Sequence, residues 1–531
     1  MDQLNRYRWD FPYSSQRMPV FAKNVVATSQ PLAAQAGLRM LLNGGNAVDA
    51  ALAAAIALTV VEPTSNGVGS DAFAIVWDGQ RLHGLNGSGR SPAGWSPKRF
   101  AGRSQMPKLG WDSVTVPGAV DAWATLSKKF GRLPFADLFR PAITYARDGH
   151  LVSPYTAARW LPAEENLREF PDFVATFLPQ GTAPRTGDSF RCPAMAETLE
   201  KIADSRGEAF YRGVLADAIA GHAARSGGAM TAEDLADHHS EWVSPLQQTY
   251  RGYCLHELPP NGQGLAALIA LGILDHLPVA DYPPDSPEGL HFQIEAMKIA
   301  FELAHRHIGD PRSMTVKPED LLDPEFLTEK ARKIRRDRTL LPEQSLPTGG
   351  GTVYLSAADE TGMMVSYIQS NFLGFGSGVV VPGTGISLQN RGFGFNLTAG
   401  HPNCVAGSKR PYHTIIPGFV TQNGRPVISF GVMGGHMQPQ GHVQLMIRMI
   451  DYGQNPQAAS DAPRWLVAED YRVAFEAGTS PEVIGELARR GHRILKGLPV
   501  WGFGGAQVIA RLEDGYCGAS DHRKDGQAVG F

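Results

Sequence analysis

At 531 residues the chain could form about three domains or one large body, and length alone does not decide between them. Its 43% hydrophobic and 19% charged residues exclude a disordered or fibrous protein. A net charge of −3 gives no basic surplus for binding a nucleic acid or an anionic membrane, so we expect a small-molecule ligand. The sequence shows neither a signal-peptide pattern nor an apolar run long enough to span a bilayer, so we expect a cytoplasmic protein.

The first third of the chain reads as helices followed by a hairpin. Residues 31–61 are rich in alanine and leucine and predict two close-packed helices, broken at 43–45 by Asn-Gly-Gly. Residues 72–77 form an apolar run that ends at Asp78-Gly79, which predicts a strand, a tight turn and a second strand. Residues 118–345 then read as mainly helical.

A change of pattern separates this helical region from the last third of the chain. Two prolines and three consecutive glycines predict a linker over residues 340–351. Residues 352–370 then form two β-rich runs joined at 359–362 by a turn that ends in glycine, which predicts a hairpin beginning directly after the linker.

The last third alternates between sheet and helix. Asn423-Gly424 predicts the turn of a further hairpin, and Gly434-Gly435 separates its second strand from a helix over 442–453. This alternation predicts a mixed, largely antiparallel protein built of layers.

The junction between Gly351 and Thr352 carries the chemistry that we consider first. Glycines leave the backbone before Thr352 unhindered, so its hydroxyl could attack the preceding carbonyl in an N→O acyl shift. Hydrolysis of that ester would free the α-amino group of Thr352 to act as the base for its own Oγ. On composition alone, a plain flexible loop is the competing interpretation.

Three further positions have both a catalytic and an ordinary interpretation. Gly434 and Gly435 could offer two backbone N–H groups as an oxyanion hole, or simply form a tight strand-to-helix turn. Asn371, at a strand end, could orient the nucleophile or be a plain surface residue. Arg90, among small residues, could bind a carboxylate through its guanidinium or be a solvated loop residue.

Other signals argue against a bound cofactor. The run GQGLAA at 262–267 resembles a dinucleotide fingerprint but follows no well-formed strand. His305 and His307 would point to different faces of a helix, and the four cysteines lack metal-like spacing. We therefore expect neither a metal nor a cofactor.

Several separate motifs, in order, resemble those of the γ-glutamyltranspeptidase family of N-terminal-nucleophile (Ntn) hydrolases. They are PLAAQAG, GGNAVDAA, VVEPTSNGVGSDAF, VTVPGAVDAW, GTVYLSAADETGMMVS, SNFLGFGSG, GISLQN, SKRPYHTIIP, GVMGGHMQPQ, DAPRW and GASDHRKDGQAVGF. The resemblance implies an α+β fold, a four-layer αββα sandwich with a large helical portion. It also implies self-cleavage into a large subunit, 1–351, and a small subunit, 352–531, which together form one body.

The resemblance also assigns roles to individual residues. It implies that Thr352 is the nucleophile, that Gly434 and Gly435 form the oxyanion hole, and that Asn371 lies near the threonine. It implies that Arg90 binds the donor's α-carboxylate. In that family the acyl group of a γ-glutamyl donor passes to the threonine and then to water or an acceptor amine.

The substrate-binding positions depart from the family pattern. Arg391 lies where the family typically places groups that hold the donor's α-amino group, and it would repel an ammonium and favour an anion. His413 and Thr414 occupy the positions of a paired-serine motif, so one hydroxyl is retained. Gln369 stands at the position that we align with an assisting threonine hydroxyl.

These departures predict a substrate that has a carboxylate and an amide but no α-amino group. Oxamate, cleaved to oxalate and ammonia, fits this description, the branch of oxamate amidohydrolases is the most similar, and glutaryl amides fit the same argument. Hydrolysis or transfer of γ-glutamyl groups from glutathione-like compounds is the alternative. An unprocessed, non-enzymatic ligand-binding relative is an alternative of another class. The two subunits of one precursor could also assemble into a higher homo-oligomer.

Overall fold

The computed structural model describes residues 17–340, 351–468 and 470–531. The helices are α1 (Pro31–Leu42), α2 (Ala47–Val61), α3 (Ala119–Phe130), α4 (Arg140–Asp148), α5 (Pro154–Trp160), α6 (Ala163–Asn166), α7 (Pro171–Phe177), α8 (Pro193–Asp204), α9 (Glu208–Arg212), α10 (Val214–Arg225), α11 (Ala232–Ala236), α12 (Gly264–Leu274), α13 (Pro287–His307), α14 (Pro324–Lys333), α15 (Met437–Ile450), α16 (Pro456–Asp461) and α17 (Pro481–Arg489). The strands are β1 (Val20–Ala22), β2 (Val25–Thr28), β3 (Asp71–Trp77), β4 (Leu82–Gly87), β5 (His150–Leu151), β6 (Ser189–Phe190), β7 (Glu241–Val243), β8 (Leu246–Tyr250), β9 (Tyr253–Glu257), β10 (Gly351–Ala358), β11 (Met364–Phe372), β12 (Gly418–Gln422), β13 (Arg425–Met433), β14 (Trp465–Val467), β15 (Val473–Phe475), β16 (Ile494–Leu495), β17 (Gly505–Arg511), β18 (Tyr516–Ser520) and β19 (Gln527–Gly530).

Two seven-stranded antiparallel sheets form the centre of the molecule. One has the order β19-β2-β10-β11-β3-β4-β7, and the other has the order β1-β18-β17-β13-β12-β9-β8. Both sheets combine strands that are distant in sequence. In the first sheet, β2 and β3 pair with β10, β11 and β19, and in the second sheet β1 pairs with β18. This long-range pairing makes the regions before and after Gly351 one body.

The hairpin predicted after the linker lies in the middle of the first sheet. β10 and β11 pair from Ala358, opposite Met364, to Val353, opposite Gln369, and a bulge then brings Gly351 opposite Phe372. Side chains alternate between the two faces of a strand, so β10 directs Tyr354 toward the other sheet and Val353 toward the helices. Thr352 therefore lies on the face between the two sheets.

Helices cover the outer face of each sheet. The first sheet packs against α1, α2 and α3, and α2 is buried along all 15 residues, which explains its uniform alanine and leucine content. The second sheet packs against α12, α15 and α16, and α13 packs on the outside of α12; a separate apolar cluster fills the space between the sheets. This arrangement confirms the predicted four-layer αββα sandwich.

Two parts of the observed structure differ from the expectations. The stretch predicted as mainly helical also contributes the five strands β5 to β9. Of these, β8 and β9 are joined at Arg251 and Gly252, both with positive φ, as in a tight hairpin. Helix α15 begins at Met437 rather than at 442. Pro439 does not prevent this earlier start, because it lies in the first turn, where the backbone N–H that proline lacks would have no intrahelical partner.

The predicted linker falls largely outside the described residues, which resume at Gly351 as the first residue of β10. In the part of the chain that the structure covers, no helix combines the length and the apolar character required to cross a membrane.

Candidate active site

Thr352 lies at the start of β10, and its side chain is buried. Its Oγ1 donates a hydrogen bond to the Oγ of Ser370 at 3.3 Å, and Ser370 donates in turn to the carbonyl oxygen of Gly351 at 2.6 Å. The Ser370 hydroxyl also accepts the backbone N–H of Phe372 at 2.8 Å. One serine thus links the Thr352 hydroxyl to the carbonyl that directly precedes it.

The glycine pair lies between β13 and α15, beside this threonine. Gly434 and Gly435 have φ values of 119° and 61°, in the region that favours glycine. Their carbonyls accept N–H bonds from Met437 and Gln438 in the first turn of α15. Within the described residues their own N–H groups donate to no partner, so both are available to a ligand oxygen, as an oxyanion hole requires.

Gln438 connects this turn to the nucleophile. Its Nε2 donates to Thr352 Oγ1 at 3.4 Å, while its Oε1 accepts the backbone N–H of Ile416 at 2.9 Å. Because a backbone N–H can only donate, the amide orientation is fixed and the NH₂ group faces the threonine. The Thr352 oxygen therefore accepts from Gln438 while its proton points to Ser370.

Arg391 places a buried positive charge next to Ser370, the serine that bonds to Thr352. Its terminal nitrogens donate to Thr414 Oγ1 at 2.7 Å and Ser370 Oγ at 3.2 Å, and its guanidinium lies 4.2 Å from the centre of the Phe372 ring. The side chain is fully buried and burial lowers its pKa to about 9. No carboxylate of the described chain lies within ion-pair distance of it, although the Asp71 carboxylate is near enough to act against the lowering of its pKa. Its Nε has no hydrogen-bond partner among the described residues.

His413 faces away from the nucleophile and toward Asp71. His413 Nε2 donates to Asp71 Oδ2 at 3.0 Å, and both side chains are fully buried. The other carboxylate oxygen accepts from the backbone of Gly89 and Gly118 and from Gln389. Burial raises the pKa of Asp71 to about 6 and holds the pKa of His413 well below its usual value, so His413 is a neutral donor that fixes the segment before Thr414.

Arg90 lies in an ion-pair cluster next to this segment. Its two terminal nitrogens each bond to a carboxylate at 3.0 Å, one to Asp310 and one to Glu241. Arg410 also pairs with Glu241, at 2.8 Å. The predicted carboxylate-binding role of Arg90 stays a prediction, and in this structure its guanidinium already has two protein carboxylates.

Gln369 and Asn371 lie on the opposite face of β11 from Ser370. Gln369 accepts from Trp123 and Tyr367 and donates to Asn66, on the helical side of the sheet. Asn371 accepts from the hydroxyl of Ser70 at 2.8 Å and donates to the Phe375 carbonyl and the Ser387 hydroxyl. Neither amide forms a hydrogen bond with Thr352 in the described structure, so their proposed roles remain untested.

Neither Ser370 nor Gln438, the two side chains that bond directly to Thr352, was predicted from the sequence. Strand alternation offered a signal for Ser370, because counting outward from the turn at 359–362 places it opposite Thr352. No comparable signal existed for Gln438, whose contact depends on how α15 packs against the first strand of the hairpin.

Two clusters in the described chain combine side chains of metal-ligating type. One joins His291, Glu295 and His492, and the other joins Asp461, Asp521 and His522. In the first, the imidazoles bond to each other at 2.8 Å and Lys298 pairs with Glu295 at 2.9 Å. In the second, Asp521 pairs with Arg464 and Arg523 at 2.6 and 3.0 Å. Protein cations already compensate these carboxylates.

Known proteins resemble this chain over nearly its whole length. A sequence profile described as Gamma-glutamyltranspeptidase matches residues 33–531. The chain is 37% identical over 523 residues to the Glutathione hydrolase-like YwrD proenzyme of Bacillus subtilis, covering 96% of this chain and 98% of the relative. It is also 37% identical over 516 residues to the Oxamate amidohydrolase proenzyme of Klebsiella pneumoniae, covering 94% and 97%.

A solved structure of similar sequence has the same architecture. The crystal structure of cephalosporin acylase from Bacillus halodurans superposes with a TM-score of 0.94 at 48% identity, and 99% of each chain is covered. The similarity therefore includes every layer of the sandwich and both sides of the Gly351–Thr352 junction.

Proposed function

Since the chain belongs to the γ-glutamyltranspeptidase family, whose enzymes are Ntn hydrolases, we propose that it cleaves itself before Thr352 and then hydrolyses the amide of a small carboxylate that lacks an α-amino group. Oxamate, converted with water to oxalate and ammonia, is the proposed substrate. The observation that carries this choice is the buried Arg391 charge beside the threonine, with no carboxylate partner in the described structure.

The proposed self-cleavage begins with attack of Thr352 Oγ on the carbonyl carbon of Gly351. The Ser370 hydroxyl, 2.6 Å from the carbonyl oxygen, can stabilise the charge that develops there, and it also accepts the hydrogen bond of the attacking hydroxyl. The C–O bond forms, the C–N bond breaks and the nitrogen takes up the proton that Oγ loses. Water then hydrolyses the ester, which leaves Gly351 as a carboxylate and Thr352 with a free amine.

In the proposed turnover, the free α-amine of Thr352 accepts the proton of its own Oγ, which attacks the amide carbon of the substrate. The N–H groups of Gly434 and Gly435 have no other partner among the described residues and can bind the resulting oxyanion. Ammonia leaves with the proton held by the amine, and water hydrolyses the acyl ester by the same route. Substrate and one water thus give a carboxylic acid and ammonia.

Arg391 supports the preference for an anion without an amino group. A guanidinium that is buried without an ion-pair partner gains strongly when a carboxylate replaces the missing charge. An α-ammonium at the same place would meet like charge in a medium of low dielectric constant. The hydroxyl of Thr414, held 2.7 Å from Arg391, adds a second polar group for the carboxylate.

The γ-glutamyl alternative has support of its own. The chain is as similar to the glutathione hydrolase-like relative as to the oxamate amidohydrolase, with 37% identity to each. The cephalosporin acylase adds a relative that is named for another acyl compound. Glutaryl amides, which have the carboxylate of a γ-glutamyl group but lack its amine, form a direct test between these possibilities.

The deciding experiment first tests cleavage and then compares substrates. Intact mass should show two chains divided between Gly351 and Thr352, whereas a single chain that never divides would favour the non-enzymatic ligand-binding alternative. The processed protein is then assayed at matched concentrations on oxamate, glutaryl-4-nitroanilide and γ-glutamyl-4-nitroanilide. Faster turnover of the two amine-free substrates supports the proposal, and faster turnover of the γ-glutamyl anilide would contradict it.

A further inference from the structure

Gln263 bonds to the backbone of two parts of the candidate site, the glycine pair and the segment that carries Thr414. It lies in the segment 262–267, whose sequence resembles a dinucleotide fingerprint. The side chain is fully buried at the start of α12. Its Nε2 donates to the carbonyl oxygens of Thr414, at 2.5 Å, and Gly435, at 2.9 Å. Its Oε1 accepts from the Tyr412 hydroxyl at 3.2 Å and from His436 Nδ1 at 3.0 Å.

These four bonds use the whole hydrogen-bonding capacity of a primary amide. Two carbonyl oxygens can only accept, so the NH₂ group must face Thr414 and Gly435. His436 must then carry its proton on Nδ1, and burial lowers its pKa to about 4, which keeps it neutral. The backbone N–H of Gln263 also donates to the His413 carbonyl at 2.9 Å.

The two carbonyls that Gln263 holds belong to different parts of the site. Gly435 is one of the two glycines whose N–H groups have no partner among the described residues, and the Thr414 side chain bonds to Arg391. No other side chain in the described structure donates hydrogen bonds to both Thr414 and Gly435. The distance between oxyanion hole and buried cation therefore depends directly on this amide.

We propose that Gln263 is a positioning residue that sets the spacing between the oxyanion glycines and the Arg391–Thr414 pair, and so selects the distance between amide and carboxylate in the substrate. The inference rests on the function proposed above. A substrate whose carboxylate is bound correctly but whose carbonyl is displaced by about 1 Å loses roughly 100-fold in rate. A small change in the distance between the oxyanion glycines and the Arg391–Thr414 pair should therefore give a measurable change in kcat.

The first test replaces Gln263 with methionine, which has similar length and no hydrogen-bonding groups. Gln444→Met is the matched control. Gln444 is also buried and lies farther along α15, and its amide bonds to the backbone of Gln440 and of Trp465 in β14. We expect Gln263→Met to lower kcat about 10- to 100-fold on the best substrate, with a smaller change in KM. Its oxamate-to-glutaryl ratio of kcat/KM should also change, whereas Gln444→Met should keep the parent values.

A second variant tests the role of the two donated bonds. Gln263→Glu keeps an acceptor for Tyr412 and His436, but once ionised it places negative charge against the two carbonyls. Tyr412 and His436 are the titratable side chains that bond to this position, and in the parent protein burial raises the pKa of Tyr412 and lowers that of His436, so both are neutral donors there. Turnover by Gln263→Glu should therefore fall as the pH rises and the new carboxyl ionises, a dependence that Gln444→Glu should not show.

The outcomes separate this inference from the function on which it rests. If Gln263→Met keeps the kcat, the KM and the oxamate-to-glutaryl ratio of the parent protein, the positioning role is overturned. An equal loss of kcat in Gln263→Met and Gln444→Met would also overturn it. If Gln263→Met melts at a much lower temperature, the pH profile of Gln263→Glu decides, and a parent-like profile overturns the inference. A parent protein that neither divides nor hydrolyses any of the three substrates would instead refute the proposed function.

Discussion

Substitution of Arg391 by methionine tests whether this charge selects the substrate. Arg391 donates to Thr414 at 2.7 Å and to Ser370 at 3.2 Å and has no carboxylate partner among the described residues. A hydrogen bond to a charged group contributes about 1.5–3 kcal/mol, so losing the substrate contact should lower kcat/KM for glutaryl-4-nitroanilide about 10- to 150-fold. For γ-glutamyl-4-nitroanilide part of this loss should be offset, because the repulsion of its ammonium is also removed.

The assay compares these two anilides, which differ only in the amino group, on fully processed protein. We expect the glutaryl-to-γ-glutamyl ratio of kcat/KM to fall at least about 10-fold in Arg391→Met and to fall less in Arg391→Lys, which keeps the charge. The melting temperature should change little, because removal of a buried charge favours folding while the loss of the bonds to Thr414 and Ser370 and of the attraction to Asp71 opposes it. An unchanged ratio in a folded, processed variant would refute the assignment of Arg391.

Three further predictions concern cleavage and pH. Thr352→Ala should abolish both division of the chain and turnover, so two chains in the mass spectrum of this variant would contradict self-cleavage by Thr352. Ser370→Ala removes the donor 2.6 Å from the Gly351 carbonyl and should slow division about 100- to 1,000-fold in a time course followed by gel; division at the parent rate would exclude this role. The folded protein raises the pKa of Asp71 from 3.8 to about 6, so between these values the folded state holds a proton that the unfolded state has lost. Asp71 should therefore make the free energy of unfolding decrease as the pH rises from about 4 to about 6, and Asp71→Asn should remove this contribution in urea titrations at both ends of the range.

The sequence predicted those parts of the fold that depend on local pattern. Periodicity and turn residues located α1, α2, the β3–β4 hairpin and the β10–β11 hairpin, and the motif order indicated the four layers. The β8–β9 hairpin was missed because its short strands lie among helices. Sheet order could not be read locally, since β10 pairs with β2 from the other end of the chain.

The candidate site was predictable where backbone chemistry defines it and not where packing does. A threonine after glycines and a glycine pair at a strand end can be recognised from residue type alone. The partners of Arg90 could not, because Glu241 and Asp310 come close only through tertiary structure. Alignment by residue type also favoured Gln369 and Asn371, although strand alternation turns both away from Thr352 and leaves Ser370 facing it.

The position of Ser370 suggests how one set of donors can serve two reactions. In the intact chain its hydroxyl donates to the Gly351 carbonyl while Arg391 donates to the same hydroxyl. Division of the chain would release the Gly351 carbonyl from its covalent link to Thr352, so Ser370 and Arg391 would both gain freedom to bind a substrate oxygen. The scissile carbonyl would then occupy in the precursor the place beside Ser370 and Arg391 that the carboxylate of the substrate takes afterwards. Arg391→Met should then slow division as well as turnover, and division at the parent rate in this variant would show that the two reactions use Arg391 differently.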